Sequence, residues 1–474
     1  MTWTPGGRRA PTTDWAPLYR GRPAWLSYRL HWRRLTLGHW RLFEQRAPTP
    51  DVPYPNTWLI PQWRTEEILR GRLAQHGHAV ELGTELTGFE QDEAGVTVTL
   101  VHARGTETVC VEYLVGADGG HSRVRKALGV RFEGRTDEEE RLVVGDVKVE
   151  GLDREHWHVW PLARDGAIAL CPLPGTDQFQ LTAQVKRASE VPTLTEHALQ
   201  QRFLRAACPR PGVRLHDPSW LSLYRPNVRM VDRYRVGRVF LAGDAAHVHP
   251  PAGGQGLNTG VQDAYNLGWK LGQVLAGGPE ALLDTYEEER LPIAAGVLGM
   301  SSPLYTQSSR NVLRPQRRGA EAQQLRLGYR GSSLALDAPG RPGGLRAGDR
   351  APDAPCVDSA ARPVRLFDAF RGPHWTLLAF GPRHADTVER VGTRFGGGLR
   401  AFRVLAAGDR GDVKALIDAG GHARNSYGMD GDGLALLRPD GYVGFISRSG
   451  TRAHLEEYVR PLALEAARPN VVMR

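Results

Sequence analysis

An α/β fold of two or three domains is predicted from three observations. A short apolar run, Val239-Phe240-Leu241-Ala242, ends in Gly243-Asp244 and passes through a Pro- and Gly-rich turn into a helix starting near Leu257. An earlier strand, Thr108 to Val115, runs likewise into Gly116-Ala117-Asp118-Gly119-Gly120, with Ser122 placed to cap the next helix. Between the two lie short alternating strands separated by turn residues, the pattern of an antiparallel sheet. At 474 residues the chain is also too long for one core.

Composition removes several classes of function. No apolar run approaches the roughly 18 residues of a membrane span, and the N-terminus has no apolar signal-peptide core, so a soluble cytoplasmic protein is expected. Cys110, Cys171, Cys208 and Cys356 are widely spaced and form no CxxC, which argues against a metal site or a disulfide framework. The net charge of +9 raises the question of nucleic acid, but residues 1–47 hold nine Arg, no Lys and only Asp14 and Glu44. The rest of the chain is nearly balanced.

That first segment, residues 1–47, is atypical. It carries five of the twelve Trp among Arg, Pro and Gly, and only Trp25 to Phe43 suggests a helix. A basic arm for nucleic acid or an acidic membrane is one reading, since aromatics among arginines stack on bases.

From Pro48 onward the pattern is regular. Ile60-Pro61-Gln62 precedes a helix, Trp63 to His76, and Ala79 to Leu86, Gly95 to His102 and Thr108 to Val115 form a meander. Strands are expected at Arg141–Val149, His156–Pro161, Ala167–Pro172 and Phe179–Val185, then a helix from Thr195 to Ala207. Trp157, Trp160, Phe179, Trp220 and Tyr224 are candidates to line an apolar cavity, though each alone is more often a core residue. His156 and His158 share a side of their strand without a third metal ligand, and are read as solvated. Helices continue over Pro279–Tyr286 and Glu287–Tyr305, and Gly331 onward, to about residue 344, reads as a linker. Beyond it come a buried strand, Trp375 to Phe380, the stretch Leu434 to Gly444, and a last helix, Thr451 to Leu462.

The two strand–turn–helix units carry the chemistry. Asp244 sits at the carboxyl end of a strand, where open α/β sheets bind ligands. A carboxylate there accepts hydrogen bonds from sugar-like hydroxyls, while the helix N-terminus beside it favours negative charge. Gly253, Gly254 and Gly256 permit close approach of a flat ligand. His247 and His249 flank this turn and are expected to pack rather than to act as acid or base.

The stretch Arg238–Leu275 resembles, almost residue for residue, the second flavin motif of the class A FAD-dependent aromatic hydroxylases, the para-hydroxybenzoate hydroxylase-like family. Asp118-Gly119-Gly120-His121-Ser122-Arg123-Val124-Arg125 resembles that family's D-G-x-x-S-x-V-R fingerprint, and Gln62, Glu66 and Leu69 its Q-x-x-x-E-x-x-L pattern. The resemblance implies cofactor-binding roles. Gly243-Asp244 would bind the ribityl chain, Pro250 and Gly254 would lie beside the flavin ring, and the Gly256-Leu257-Asn258 backbone would cradle its pyrimidine edge. Gln62 would contact the ribityl or phosphate portion. Asp118 and Gly119 would approach the pyrophosphate and the NAD(P)H path, Ser122 would cap its helix, and Arg125 would add positive charge near the phosphates. No catalytic residue and no metal ligand is singled out.

The implied architecture is an FAD-binding Rossmann-like domain of glutathione reductase type (48–134 and 233–330), a substrate sheet (135–232) and a C-terminal unit (345–474). The last resembles the thioredoxin-like appendage of actinobacterial polyketide hydroxylases and rifampicin monooxygenases. Gly381-Pro382-Arg383-His384 stands where a redox thioredoxin has CxxC, so a stabilising or homodimer-contacting role is expected. The family's opening GxGxxG unit is not found, so the Rossmann-like domain is expected to be incomplete, with a βαβ unit lost through a displaced start or frame. Tyr286-Glu287-Glu288-Glu289-Arg290-Leu291-Pro292 matches a family stretch and is expected to make structural ion pairs.

The implied reaction is hydroxylation of an aromatic or polyketide-type substrate: NAD(P)H reduces FAD, O2 adds at the flavin C4a position, and the hydroperoxide transfers one oxygen. The alternative is an inactive flavoprotein remnant with a binding role. A nucleic-acid binder is disfavoured by the balanced body of the chain.

Overall fold

The computed structural model describes residues 27–41, 45–136, 141–164, 166–185, 194–249, 255–310, 324–338, 344–394, 398–409, 415–448 and 452–462; most of the 1–47 segment, Pro250 and Gly254 lie outside them. The described part opens with a hairpin, β1 (Ser27–Trp32) and β2 (Leu35–Arg41), turning at Arg33 with φ 52°. The helix expected over Trp25–Phe43 is not formed. Tyr28, Leu30 and Trp32 alternate with Arg29 and His31, a period of two that suits a strand. Helix α1 (Gln62–Ala74) starts after Pro61 and has no buried residue.

Strands β3 (Glu85–Gln91), β4 (Val96–His102) and β5 (Gly105–Val111) form the expected antiparallel meander. The first begins later than Ala79, because Gly83 turns the chain at φ 72° just before it. Strand β6 (Leu114–Gly116), helix α2 (Arg123–Ala127) and β7 (Phe132–Thr136) follow.

Next come β8 (Arg141–Glu150), β9 (Trp157–Trp160), β10 (Ile168–Pro172), β11 (Gln178–Val185), helix α3 (Glu196–Ala207) and β12 (Arg214–Tyr224). Thr195 caps α3 by accepting from the Ala198 amide. These strands and the hairpin make one seven-stranded sheet in the order β12-β8-β11-β10-β9-β1-β2, so part of the atypical N-terminal segment is sheet. One face packs on α3: Leu199, Phe203, Ala206 and Ala207 meet Val143, Val147, Phe179 and Leu181. Each large side chain there contributes about 1.5–3 kcal/mol.

The chain then returns through β13 (Asn227–Val231), β14 (Arg235–Val236), β15 (Val239–Leu241), β16 (His247–Val248), α4 (Gly256–Leu275) and α5 (Asp284–Arg310). Strand β15 pairs in parallel with β6, Val239 opposite Leu114 and Leu241 opposite Gly116.

The C-terminal sheet has eight strands in the order β17-β24-β23-β20-β21-β22-β18-β19. In chain order they are β17 (Leu336–Asp337), β18 (Pro355–Asp358), β19 (Pro363–Arg365), β20 (Trp375–Phe380), β21 (Leu399–Ala406), β22 (Ala415–Asp418), β23 (Gly433–Leu437) and β24 (Val443–Ser447), with four helices between or after them. Strands β20, β21 and β22 run parallel, while β23 and β24 join antiparallel. The stretch expected as a linker is partly ordered: Leu336 and Asp337 pair with Phe445 and Ile446.

This unit is fastened to α4 and α5 by buried polar contacts. Glu289 accepts from Lys270 Nζ at 2.8 Å and takes both arms of the Arg438 guanidinium. Arg438 also pairs with Asp440, whose Oδ2 accepts the Trp269 indole N–H at 3.0 Å. The Trp375 indole donates to Gln273 at 3.0 Å. The ion pairs expected of the Tyr286–Pro292 stretch are those of Glu289 with Lys270 and Arg438 and of Arg290 with Asp263, while Glu287 accepts the Tyr234 amide at 2.7 Å and Glu288 accepts from the Ser333 amide and hydroxyl. Among the described residues no helix is long and apolar enough to cross a membrane.

Candidate active site

The two aspartate turns lie side by side. Strands β6 and β15 are parallel neighbours, so Asp118, two residues past the first, and Asp244, three past the second, leave the same edge of the sheet. The Ala242 amide donates to the Gly116 carbonyl at 3.0 Å where the pair ends. A Cβ on Gly116 would stand 2.8 Å from that of Val124, so only glycine lets α2 pack on the strand end.

The Asp118 turn is held by its own helix. Its carboxylate accepts from the Arg123 amide at 2.7 Å, the Val124 amide at 3.1 Å and the Ser122 hydroxyl. Ser122 in turn caps α2 by accepting from the Arg125 amide at 2.9 Å, as the sequence suggested. Burial alone would raise the Asp118 carboxyl, but these donors outweigh it and hold it below its ordinary value. Arg125 is 4% exposed, lies over the Phe132 ring, and donates to the Ala245 carbonyl at 2.9 Å and the Gly120 carbonyl at 2.8 Å. Its charge therefore bolts one turn to the other rather than standing at a surface. Gly119, half-buried, takes φ 80° in this turn.

The Asp244 turn is a single 3₁₀ turn, Gly243–Ala245, with Asp244 exposed and Ala245 buried. Gly243 has φ 60°, and a Cβ on Gly260 would lie 3.2 Å from the Gly243 Cα, so α4 abuts the turn through two glycines. Helix α4 starts at Gly256 with Gln255 at its N-cap and no side-chain cap, and Leu257 beside Asn258 is 50% exposed. The sequence did not single out what fixes this arrangement. Asp263, on α4 and fully buried, accepts from the Gly243 amide at 3.0 Å, from His247 Nε2 at 2.7 Å and from Arg290 Nε at 2.7 Å. Burial would raise its carboxyl, yet His247 and Arg290 keep it below its ordinary value. Arg290 continues to the Tyr329 hydroxyl at 3.0 Å. His247 thus has the packing role expected of it.

Gln62 is exposed at the start of α1, and its amide donates to Glu66 on the same helix at 2.9 Å. No described contact joins it to either turn.

Opposite α3, the seven-stranded sheet shows its other face. Val143 and Val147 point into the α3 core, so Val144 and Asp146 point away from it. Register puts Trp220 beside Asp146 and Tyr224 beside Leu142 on this open side. The Tyr224 hydroxyl donates to the His249 carbonyl at 3.0 Å, linking the open face to the Asp244 turn. Burial, and then the charge of Asp244, push the Tyr224 phenol up to about 12. Tyr28 and Trp157 meet on the same face as a tilted pair, ring centroids 4.9 Å apart and planes at 44°. Trp160 and Phe179, two of the five cavity candidates, take the core reading: both lie under α3. His158, expected to be solvated, is fully buried; it donates to the Asp153 carbonyl at 3.0 Å and accepts from His31 at 3.0 Å. Among the described residues no cluster of three His, Cys, Asp or Glu is arranged for a metal. A polar groove at Arg235, Glu280 and Asp284 lies at the other end of β15, away from both turns.

Two strand-end carboxylates and the start of a long helix without a side-chain cap thus stand beside an aromatic-bearing sheet face. The chain belongs to the FAD binding domain family, whose model matches residues 34–301, and it is an FAD-dependent aromatic monooxygenase. It is 46% identical over 415 residues to a flavin-dependent monooxygenase of Mycobacteroides abscessus, covering 87% of this chain and 79% of that one. It is 36% identical over 416 residues to the 12-dehydrotetracycline 5-monooxygenase/anhydrotetracycline 6-monooxygenase of Streptomyces rimosus, covering 83% and 78%. The solved aklavinone-11 hydroxylase, in complex with FAD and aklavinone, superposes with a TM-score of 0.75 at 27% identity, covering 92% of this chain and 85% of that one.

Proposed function

We propose that this enzyme hydroxylates a polyketide-type aromatic substrate with NAD(P)H and O2, the substrate lying between the Asp244 turn and the open face of the seven-stranded sheet. The relatives' tetracycline- and aklavinone-type substrates support that class. The carrying observation is the Tyr224–His249 hydrogen bond, which brings the end of the open face onto the turn bearing Asp244.

The residues present fit a flavin. The exposed Asp244 carboxylate suits ribityl hydroxyls, and the start of α4, without a side-chain cap, offers amides and a helix dipole to an anionic ring edge. The Gly243–Gly260 approach leaves the turn without a Cβ between strand end and helix. In this reading Gly243, Asp244, Pro250, Gly254, Gly256, Leu257 and Asn258 hold the flavin and ribityl portions, and Asp118, Gly119 and Ser122 shape the pyrophosphate side. Arg125 serves by joining the two turns, and Gln62 meets the ribityl or phosphate portion from α1. Bound FAD supplies the redox chemistry that activates O2 and delivers oxygen to the ring. The protein's own part is to position the ring and exclude water, with Trp157, Trp220 and Tyr224 as the aromatic wall.

The domain reading that accompanies this function keeps 48–134 with 233–330 as an incomplete Rossmann-like FAD-binding unit and 135–232 as the substrate sheet, now with the β1–β2 hairpin added. Residues 345–474 are read as a thioredoxin-like unit without CxxC that braces α4. The site is assigned to the cytoplasm.

The test is the absorbance of the purified chain supplied with FAD, followed by NAD(P)H oxidation in air. A flavin spectrum and oxidation stimulated by a polyketide-type phenol are expected. A colourless protein that FAD does not restore sinks the assignment of these residues and favours the inactive remnant.

A further inference from the structure

On the open sheet face, one carboxylate has a partner for only one of its oxygens. Asp146 is 6% exposed; its Oδ2 accepts the Trp220 indole N–H at 2.8 Å, while its Oδ1 is buried without a hydrogen bond. A buried acceptor left unpaired is costly, and such groups persist where something else completes them. The pairing indole is 44% exposed, an unusual position for a tryptophan next to a buried acid.

Strand register supplies a ruler. Trp220 and Tyr224 are on the same face of β12, four residues apart, or about 13 Å along an extended strand. Tyr224 touches the loop that follows Asp244, so Asp146 and Trp220 mark the far end of the face. A single aromatic ring at the Asp244 turn does not reach them, whereas a fused polycyclic does.

We propose that Asp146 and Trp220 form a distal subsite that reads a phenolic or enolic hydroxyl on a polycyclic aromatic substrate. The ring stacks on the indole, which turns aside enough for Oδ1 to accept the hydroxyl hydrogen bond. Oδ2 stays anchored by the indole N–H or by that hydroxyl's neighbour. This deepens the hydroxylase reading and rests on it: it assigns a specificity-determining acid to the end of the substrate remote from the flavin turn.

The test uses the full chain with FAD added and two probes, 2,6-dihydroxyanthraquinone and unsubstituted anthraquinone, titrated by quenching of protein fluorescence. Wild type is expected to prefer the dihydroxy probe by roughly ten- to a hundredfold, the worth of a hydrogen bond to a charged acceptor. Asp146→Leu is expected to abolish that preference while leaving anthraquinone affinity unchanged, which a structural role alone would not do. Trp220→Ala, at an exposed position, is expected to weaken both probes, and it carries the test if Asp146→Leu does not fold. Equal affinity for both probes in wild type, an equal loss for both in Asp146→Leu, or unchanged binding in Trp220→Ala overturns the subsite and leaves the flavin reading standing. A wild-type chain that binds neither FAD nor either probe overturns both.

Discussion

His247 Nε2 lies 2.7 Å from Asp263 Oδ2, with both side chains at most 1% exposed, and the same carboxylate holds the Gly243 amide and Arg290. One buried acid on α4 thereby sets the backbone of the Asp244 turn, the ring that follows it and a cation from α5.

Asp263→Ala is expected to destabilise the protein by about 3–5 kcal/mol, because Arg290 is left as an unpaired buried charge. Urea denaturation at neutral pH measures this, and a loss below about 1 kcal/mol would count against the network. The sign with pH follows from the lowered carboxyl. Its folded value lies below the unfolded one, so its contribution is complete above the unfolded value and disappears as pH falls through the folded one. Wild type should therefore lose more stability than the variant on acidification.

Gly260→Ala tests the contact between helix and turn. The new methyl would stand 3.2 Å from the Gly243 Cα, backbone that yields only if α4 shifts. We expect FAD affinity to fall by tenfold or more with little change in melting temperature. Unchanged affinity by flavin titration would show that the turn tolerates the shift.

Asp244→Ala removes an exposed carboxylate and no packing. Loss of a charged acceptor for ribityl hydroxyls should weaken FAD by about 1.5–3 kcal/mol, roughly ten- to a hundredfold, with stability unaltered. Equal FAD affinity in the variant and wild type would remove Asp244 from the flavin site.

Lys270 is pushed down to about 8 by burial, with Glu289 opposing and Arg438 adding to the fall. Between about 8 and its ordinary 10.5 the unfolded chain binds a proton there that the folded chain has released, so this group makes stability rise with pH across that window. Lys270→Met should flatten the rise between pH 8 and 10 in denaturant titrations, and a parallel pair of curves would contradict it. Glu289→Gln should cost more than Lys270→Met at pH 7, since Glu289 faces both Lys270 and Arg438.

The parts of this molecule that are local in sequence were legible in it. Asp118 and Ser122 with α2, Gly243 and Asp244 after β15, and the Trp375–Phe380 strand all declare themselves within ten residues, through turn glycines, a capping hydroxyl and an apolar run. What escaped depends on distant partners. His158 is buried because His31, 127 positions away, supplies its hydrogen bond, and Glu289 meets Arg438 across 149 positions. Trp160 and Trp157 differ by three residues and face opposite sides, which strand parity encodes but the choice of covered face does not. The hairpin of Ser27–Arg41 was obscured by its arginines, of which Arg33 and Arg34 form the turn while Arg29 pairs with Asp153, 124 positions away.

The pairing of Leu336 and Asp337 with Phe445 and Ile446 means that the crossing between the two halves is itself woven into the C-terminal sheet. Together with the Arg438–Glu289 clasp, it leaves little slack for one half to melt ahead of the other. Heating should give one calorimetric transition, and a protease acting near residue 336 should find no early cut there.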